Sequence, residues 1–218
     1  MIRKILAVRE ILEHTQAIQA NSVNIKYIYQ KLLGDNPKVS WKSLLFGSTA
    51  RPKAKFILWL RLQDRLQTID RLQAWGLDID QQCKLCQQHE ETRDHLFVQC
   101  AFVQEVWRRI MTLLQWQWNP TTIWNTHLAW AILCAKGRSL NAQIFKLAYA
   151  EITYAIWIER NRMIFENARH QCEEITKEIV YMCNIRATPQ VKIKFQQLKF
   201  LLFCRLEILF YDFIYIMR

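Results

Sequence analysis

The stretch CKLCQQHEETRDHLFVQC, residues 83–100, contains three cysteines and two histidines within eighteen positions. Four of them follow the spacing Cys-x2-Cys-x8-His-x4-Cys, as Cys83, Cys86, His95 and Cys100. A Cys-x2-Cys pair lets two thiolates approach one tetrahedral ion from a tight turn, with zinc–sulfur distances of about 2.3 Å. Three thiolates and one imidazole close the coordination shell and leave no position for water. The spacing therefore indicates a structural zinc ion and not a catalytic one.

The segment between Cys86 and His95 is long enough for a turn and the start of a helix. Its acidic residues Glu90, Glu91 and Asp94 suit a helix N-terminus, where negative charge is favoured. We expect His95 to lie on that helix. We expect Cys100 just beyond the helix end, because a five-residue step does not keep one helical face.

Three alternatives to this zinc site remain open. The cysteines could be packed or free thiols, since cysteine is common in cores as a small apolar residue. Cys83 and Cys86 could form a redox dithiol, although no βαβ pattern surrounds them. His89 could replace His95 as the fourth ligand, although its position two residues after Cys86 would make a cramped loop.

The composition predicts a mainly α-helical protein. The chain has 218 residues with 51% hydrophobic content, enough to bury a core, and only four glycines and four prolines. The spacing of Phe56, Trp59, Leu60, Leu62 and Leu66 predicts a largely buried helix, and a long helix is predicted over residues 140–168. Thr68 is expected to cap the helix that Gly76 ends. The expected fold is a helical domain with a small zinc-binding loop-helix element.

The charge of the chain makes nucleic acid the first partner to consider. Thirty Lys and Arg residues against nineteen Asp and Glu give a net charge of +11, which attracts polyanions. Arg61 and Arg65 lie one helical turn apart and could bracket a phosphate backbone. The alternative is a solvated basic helix face. The candidate contacts for RNA or DNA are Arg51, Lys53, Lys55, Arg61, Arg65 and Arg71.

Cysteine usage and hydropathy point to a nuclear or cytoplasmic protein that is not secreted. Seven cysteines are an odd number, and four are scattered through apolar sequence, unlike a secreted disulfide framework. The apolar run near the N-terminus covers only residues 5–8, too short for a signal peptide. The tail is apolar and aromatic, but charged residues argue against a membrane span there: Lys199, Arg205, Glu207 and Asp212.

Two long stretches resemble a known family. RPKAKFILWLRLQDRLQTIDRLQAWG (51–76) and CKLCQQHEETRDHLFVQCAFVQEVW (83–107) closely resemble the zinc-binding domain downstream of the polymerase in plant LINE-type (non-LTR) retrotransposon reverse transcriptases. That domain combines an aromatic-Leu-Trp helix, a Thr-x-Asp-x-Leu turn, and the Cys and His residues of the metal site. The resemblance implies that Cys83, Cys86, His95 and Cys100 bind one structural zinc. IWIERNRMIF (156–165) is similar to the Trp-x-x-Arg-Asn helix that follows in those polyproteins.

The spacing of apolar residues and the resemblance together suggest four regions along the chain. We expect an N-terminal helix over residues 1–24 and a reverse-transcriptase-type zinc-binding domain over 25–110. A helical C-terminal region is expected over 111–187. The apolar tail, 188–218, matches no known pattern, and its fold is left open.

The catalytic motifs of such polyproteins are missing from the sequence. The polymerase motif Tyr-x-Asp-Asp does not occur, since Tyr211-Asp212 is followed by Phe213. Two-metal chemistry needs clustered carboxylates, and no ribonuclease H or endonuclease set is recognisable. We therefore expect no enzymatic activity and no small-molecule substrate. The expected function is binding of RNA or DNA. The alternatives are a protein-interaction module that uses the long helix or the tail, or a decayed retroelement fragment without selected function.

Overall fold

The computed structural model describes residues 39–118 and 120–198. Within these residues the chain forms eight α-helices and no strand, which confirms the prediction of a mainly α fold. One isolated antiparallel bridge joins Gln82 to Glu90. It lies in the loop of residues 81–94, which contains Cys83 and Cys86 and which we call the metal-binding loop. The helices are α1 (Lys42–Leu45), α2 (Pro52–Leu62), α3 (Ile69–Ala74), α4 (Ala101–Leu113), α5 (Trp124–Cys134), α6 (Leu140–Phe165), α7 (Cys172–Arg186) and α8 (Pro189–Gln197), and a π-helical turn (His95–Gln99) precedes α4.

Helix α6 is the central element of the fold. It contacts α1, α2, α4, α5, α7 and α8, and it is buried around most of its circumference. Its apolar residues Phe145, Ala148, Ile152 and Ile156 are buried. Helix α6 is not amphipathic with a single apolar face, however. Charged residues between and beside these positions are also buried: Lys146, Glu151, Glu159 and Arg160.

Four buried polar residues of α6 each bind a different segment of the chain. The Glu151 carboxylate accepts the backbone N–H of Arg51 at the start of α2 (2.9 Å) and pairs with its guanidinium (2.7 Å). The Glu159 carboxylate accepts the backbone N–H of His170 in the loop before α7 (2.6 Å). Lys146 Nζ donates to the Gly137 carbonyl before α6 (3.0 Å), and Arg160 binds the metal-binding loop.

Helix α2 buries the face that carries Ala54, Leu58, Arg61 and Leu62. Pro52 lies in its first turn, where a missing N–H costs nothing. The opposite face carries Phe56, which is 56% exposed. The prediction that Phe56 belongs to a buried helix face is therefore wrong. The burial of Arg61 in its place explains the error, because sequence patterns assign charged residues to the surface.

An aromatic cluster fills the space between α4, α5 and α6. Trp107 stacks on Trp118 with ring centroids 5.3 Å apart and contacts the rings of His127, Trp130 and Tyr149. Neither ring nitrogen of His127 has a hydrogen-bond partner in the structure. Burial, with a smaller effect from the Arg61 charge, lowers the pKa of His127 to about 3. His127 is therefore a neutral core residue at physiological pH.

Some sequence predictions lie outside the described residues. They are the helix over residues 1–24, the start of the zinc-binding region before residue 39, and the tail from residue 199 on. The described residues from Ser40 onward belong to one compact unit. The division at residue 110 stays a prediction. Within 39–118 and 120–198, no helix combines the length and apolarity needed to cross a bilayer.

Candidate metal centre

Cys83, Cys86, His95 and Cys100 come together in one cluster. Their ligand atoms all lie within 4.8 Å of one another. The Cys83 and Cys100 sulfurs are 3.9 Å apart, and Cys86 Sγ is 3.2 Å from His95 Nε2. Cys83 and Cys100 are fully buried, His95 is 4% exposed, and Cys86 is half-buried. This arrangement could hold a metal ion.

The dimensions of the cluster fit a tetrahedral ion. With metal–sulfur bonds of about 2.3 Å, the sulfurs of a tetrahedral zinc site lie about 3.8 Å apart. The Cys83–Cys100 distance already has this value, and the widest separation, 4.8 Å, needs to contract by only about 1 Å. Three sulfurs and one imidazole nitrogen form a donor set of the structural type, with no oxygen ligand and no open position.

The first cysteine pair is held by a tight loop of backbone hydrogen bonds. The Gln87 N–H donates to the Cys83 carbonyl (2.8 Å), and the Cys83 N–H donates to the His89 carbonyl (2.8 Å). To close the loop, Gln87 adopts a left-handed backbone conformation with φ of 57°, which costs energy for a residue with a Cβ atom.

The second ligand pair is placed by the π-helical turn. The His95 N–H donates to Thr92 Oγ1 (3.0 Å), and the Cys100 N–H donates to the His95 carbonyl (2.8 Å), a five-residue step. Cys100 also occupies the N-cap position of α4, without a side-chain capping hydrogen bond. His95 does lie on a helix and Cys100 at its end, as the spacing predicted. A π turn, which spaces its hydrogen bonds by five residues, was not foreseen.

Cys83 and Cys100 titrate as a coupled pair. The hydrogen bond between their sulfurs lowers the pKa of Cys83 and raises the pKa of Cys100. One proton therefore lies in the hydrogen bond between the two sulfurs while the pair is singly protonated. A metal ion would displace that proton, because metals bind the deprotonated form.

His89 is not part of the cluster. Its side chain is exposed, and its ring centroid lies 5.4 Å from that of His95. Its contribution is the backbone carbonyl that accepts the Cys83 N–H. Of the two histidines that could be the fourth ligand, His89 and His95, the geometry favours His95.

Glu91 is an important residue of the site that sequence reasoning missed. It is 1% exposed, and its carboxylate accepts two hydrogen bonds from the Arg160 guanidinium (2.6 and 2.9 Å) and the Ile69 N–H (3.0 Å). Arg160 Nη2 also donates to the Gln67 carbonyl (3.2 Å). Glu91 thus connects the metal-binding loop to α6 and to the start of α3. The sequence contained only a weak signal for this pair: Glu91 in the stretch HEET and Arg160 in the stretch IERN. Each of these stretches by itself indicates a helix and no more.

The capping prediction for α3 needs a correction. Thr68 is the N-cap residue, but its side chain makes no capping hydrogen bond and its hydroxyl is buried without a partner. The Glu91 carboxylate accepts the first N–H of α3 instead. A carboxylate at a helix N-terminus is favoured by the helix dipole as well as by the hydrogen bond. Gly76, with φ of 87°, follows the helix end as predicted.

Arg61 is the clearest correction among the predicted nucleic-acid contacts. It is fully buried, donates to Thr153 Oγ1 (2.9 Å), and lies 4.5, 5.0 and 5.3 Å from the ring centroids of Phe97, Trp124 and Tyr149. Burial lowers its pKa. A guanidinium inside this aromatic box cannot contact phosphate in this structure. The expected shared face of Arg61 and Arg65 is therefore wrong, because only Arg65 is exposed.

The other predicted basic contacts differ in their availability. Arg51 is half-buried and bound to Glu151, with its guanidinium 4.6 Å from the ring centroid of Tyr154. Arg71 is half-buried and bound to Asp64 through both its backbone carbonyl and its carboxylate. Lys53 and Arg65 are exposed, and Lys55 is partly exposed. These last three remain open to a ligand.

The fold and the cluster together define a mainly helical protein with a Cys3His cluster that could bind a metal ion. The sequence model of a family described as zinc-binding in reverse transcriptase matches residues 24–107. This range contains all four cluster residues, α1 to α3 and the first part of α4. No curated protein matches the chain, and no solved structure does.

Proposed function

We propose that this chain is a non-catalytic, zinc-stabilised helical module of retrotransposon origin that binds RNA or DNA. The observation that carries the proposal is the closed Cys3His cluster inside a segment that matches a reverse-transcriptase zinc-binding family. The motifs quoted from the sequence favour a plant LINE-type element as its source. A nuclear or cytoplasmic location follows from that origin.

Zinc is the proposed metal because of the donor set. Thiolate-rich tetrahedral sites with one imidazole are typical of structural zinc. Cys83, Cys86, His95 and Cys100 would hold the ion. A zinc ion bound there would cross-link the loop that carries Cys83 and Cys86 to the π-helical turn, and it would have no catalytic role.

Metal analysis tests the first part of the proposal. We expect one zinc per chain in the purified protein, and loss of that zinc in Cys83→Ser and His95→Ala. Cys134→Ser is the matched control, because Cys134 is half-buried and lies outside the cluster. A metal-free native protein, or equal zinc loss in the control, would contradict a zinc role for the cluster.

The proposal that the chain binds nucleic acid rests on three cations that are open to a ligand. Lys53 and Lys55 lie in α2, and Arg65 lies just after its C-terminal end. We expect single-stranded RNA to bind with an affinity that falls as salt rises, because phosphate contacts release counterions. A triple change of these residues to Gln should reduce the salt slope by about 2, at roughly 0.7 per phosphate contact on a single strand.

A charge-matched control separates a specific surface from net charge. Lys136→Gln, Arg138→Gln and Lys192→Gln remove the same charge from exposed positions elsewhere. We expect these changes to leave the salt slope nearly unaltered. Salt-insensitive binding, or the same loss in both triple variants, would contradict the proposed surface. The absence of binding to any polynucleotide would contradict the function.

A protein-interaction module is the second candidate. The long helix is a poor surface for a partner, because other helices cover most of α6. Exposed apolar side chains on α7 and α8 favour this candidate instead: Tyr181, Ile185 and Ile193. A stable oligomer in light scattering, disrupted by Ile185→Lys and without polynucleotide affinity, would support it over the first.

A further inference from the structure

A pair of stacked aromatic rings lies on the side of α2 that faces away from the core. Phe56 is 56% exposed, and its ring centroid is 5.8 Å from that of Trp59, with the planes inclined by 28°. The Arg65 guanidinium lies 6.0 Å from the Trp59 ring centroid. Lys53 is exposed one helical turn before Phe56. We call Lys53, Phe56, Trp59 and Arg65 the α2 outer face.

Phe56 is exposed because the rest of α2 fixes which side of the helix is buried. A small local movement of the helix cannot bury the ring. The buried side of α2 is fixed by Leu58 and by Arg61, whose guanidinium is held between rings from three other segments. Rotating α2 to bury Phe56 would expose Leu58 and pull Arg61 from this box. The fold therefore keeps a large aromatic ring in water, although burying it would be favourable.

The charges around these rings are not neutralised by any carboxylate in residues 39–118 and 120–198. Within the described residues, no carboxylate forms an ion pair with Lys53, Lys55 or Arg65. Many other surface cations are paired in the same part of the chain, as in Arg71–Asp64, Lys84–Asp80, Arg108–Glu105 and Lys177–Glu173. The α2 outer face thus combines a stacking surface with cations that have no carboxylate partner among the described residues.

Single-stranded nucleic acid is a ligand that can use the exposed rings and the neighbouring cations at the same time. Unpaired bases stack on aromatic side chains, and neighbouring Lys and Arg residues neutralise the phosphates between them. A duplex keeps its base faces stacked inside the helix and offers phosphates alone. Resting on the proposed function, we infer that the α2 outer face binds single-stranded RNA or DNA by stacking an unpaired base on Phe56.

Binding by the full-length, zinc-loaded protein tests this inference. The probes are a single-stranded oligo(U) RNA, an oligo(dT) of equal length and a duplex of equal length, measured by fluorescence anisotropy. We expect both single strands to bind more tightly than the duplex, because stacking does not depend on the sugar. Phe56→Leu removes the ring but keeps an apolar side chain. It should weaken single-strand binding at least about fivefold without changing the salt slope.

The matched control is Phe165→Leu. Phe165 is 80% exposed at the C-terminal end of α6 and is not one of the α2 outer-face residues, and this change should leave every affinity unaltered. Zinc content and thermal unfolding show that each variant is folded.

The results separate this inference from the proposed function. Unchanged single-strand affinity in Phe56→Leu, together with weakened binding in the Lys53, Lys55 and Arg65 triple variant, would overturn base stacking and leave nucleic-acid binding intact. Equal affinity for the duplex would also overturn it. Phe56-dependent binding to anionic lipid vesicles, without polynucleotide affinity, would overturn both, since basic aromatic surfaces can also bind membranes.

Discussion

At the level of single residues, Glu91 and Arg160 form the ion pair that joins the metal-binding loop to α6. Both side chains are almost fully buried, and their bidentate contact is 2.6 Å at its shortest. The pair is enclosed by backbone partners at Ile69 and Gln67. Removing one member of such a pair leaves an uncompensated buried charge, whereas removing both does not.

We predict that Glu91→Gln lowers the free energy of unfolding by about 3–5 kcal/mol in the zinc-loaded protein. Urea unfolding measures this. The double variant Glu91→Gln with Arg160→Met should be more stable than Glu91→Gln alone. Glu105→Gln is the control, because Glu105 pairs with Arg108 on the surface and such pairs contribute at most about 1 kcal/mol. Equal losses in Glu91→Gln and Glu105→Gln would contradict the prediction.

His127 gives the protein a predictable response to acid. Its pKa is about 3 in the folded chain against an ordinary value of 6.5, so the unfolded chain binds more protons between these pH values. This contribution to stability is complete above pH 6.5 and is lost as the pH falls toward 3. We predict that His127 accounts for about 2 kcal/mol of the stability lost between pH 7 and pH 5.

The measurement for His127 is urea unfolding at both pH values, compared with His127→Phe, which keeps an aromatic ring without a titratable group. Protonation of the metal ligands affects both proteins and cancels in the difference. The variant should lose about 2 kcal/mol less than the unmodified protein. An identical pH dependence in the two proteins would show that His127 is not a buried neutral group.

At the level of elements, the metal-binding loop contains a strained residue that can be replaced. Gln87 has φ of 57°, a conformation that glycine adopts without cost. We predict that Gln87→Gly changes stability by less than about 1 kcal/mol, in the stabilising direction, because relief of strain exceeds the added freedom of the unfolded chain. Thermal unfolding checks this. Gln88→Gly, at a neighbour without positive φ, should instead destabilise the protein.

The sequence predicted local features well and long-range features poorly. The cysteine and histidine cluster was predictable because its ligands lie within one short segment and the spacing itself limits the geometry. The Glu91–Arg160 pair was not, since it joins residues 69 positions apart. Arg61 and Phe56 were assigned to the wrong sides of α2 because hydropathy patterns assume that charge is exposed. The aromatic box that makes Arg61 a core residue is assembled from three other segments of the chain.

For the whole molecule, the metal-binding part and the later helices share one core. Helix α2 packs on α6, and α4 packs on α6 and α7. We predict that a chain ended after Leu113 does not fold, even with zinc, because Leu58, Val106 and Ile110 would lose the surfaces that bury them. Circular dichroism and amide NMR of this fragment check the prediction. A well-dispersed zinc-dependent spectrum would show that the region predicted over 25–110 is an independent domain.

The four polar anchors of α6 also fix the axial register of that helix. Lys146, Glu151, Glu159 and Arg160 bind four separate segments, so sliding α6 by one turn, about 5.4 Å, would break all four contacts together. Insertions in the loop before α6, residues 135–139, should therefore leave α6 in place through Glu151, Glu159 and Arg160, even where they move Gly137, the partner of Lys146. Variation in loop length among related chains would then be tolerated, whereas a single residue inserted between Glu151 and Glu159 would rotate two of the anchors away from their partners.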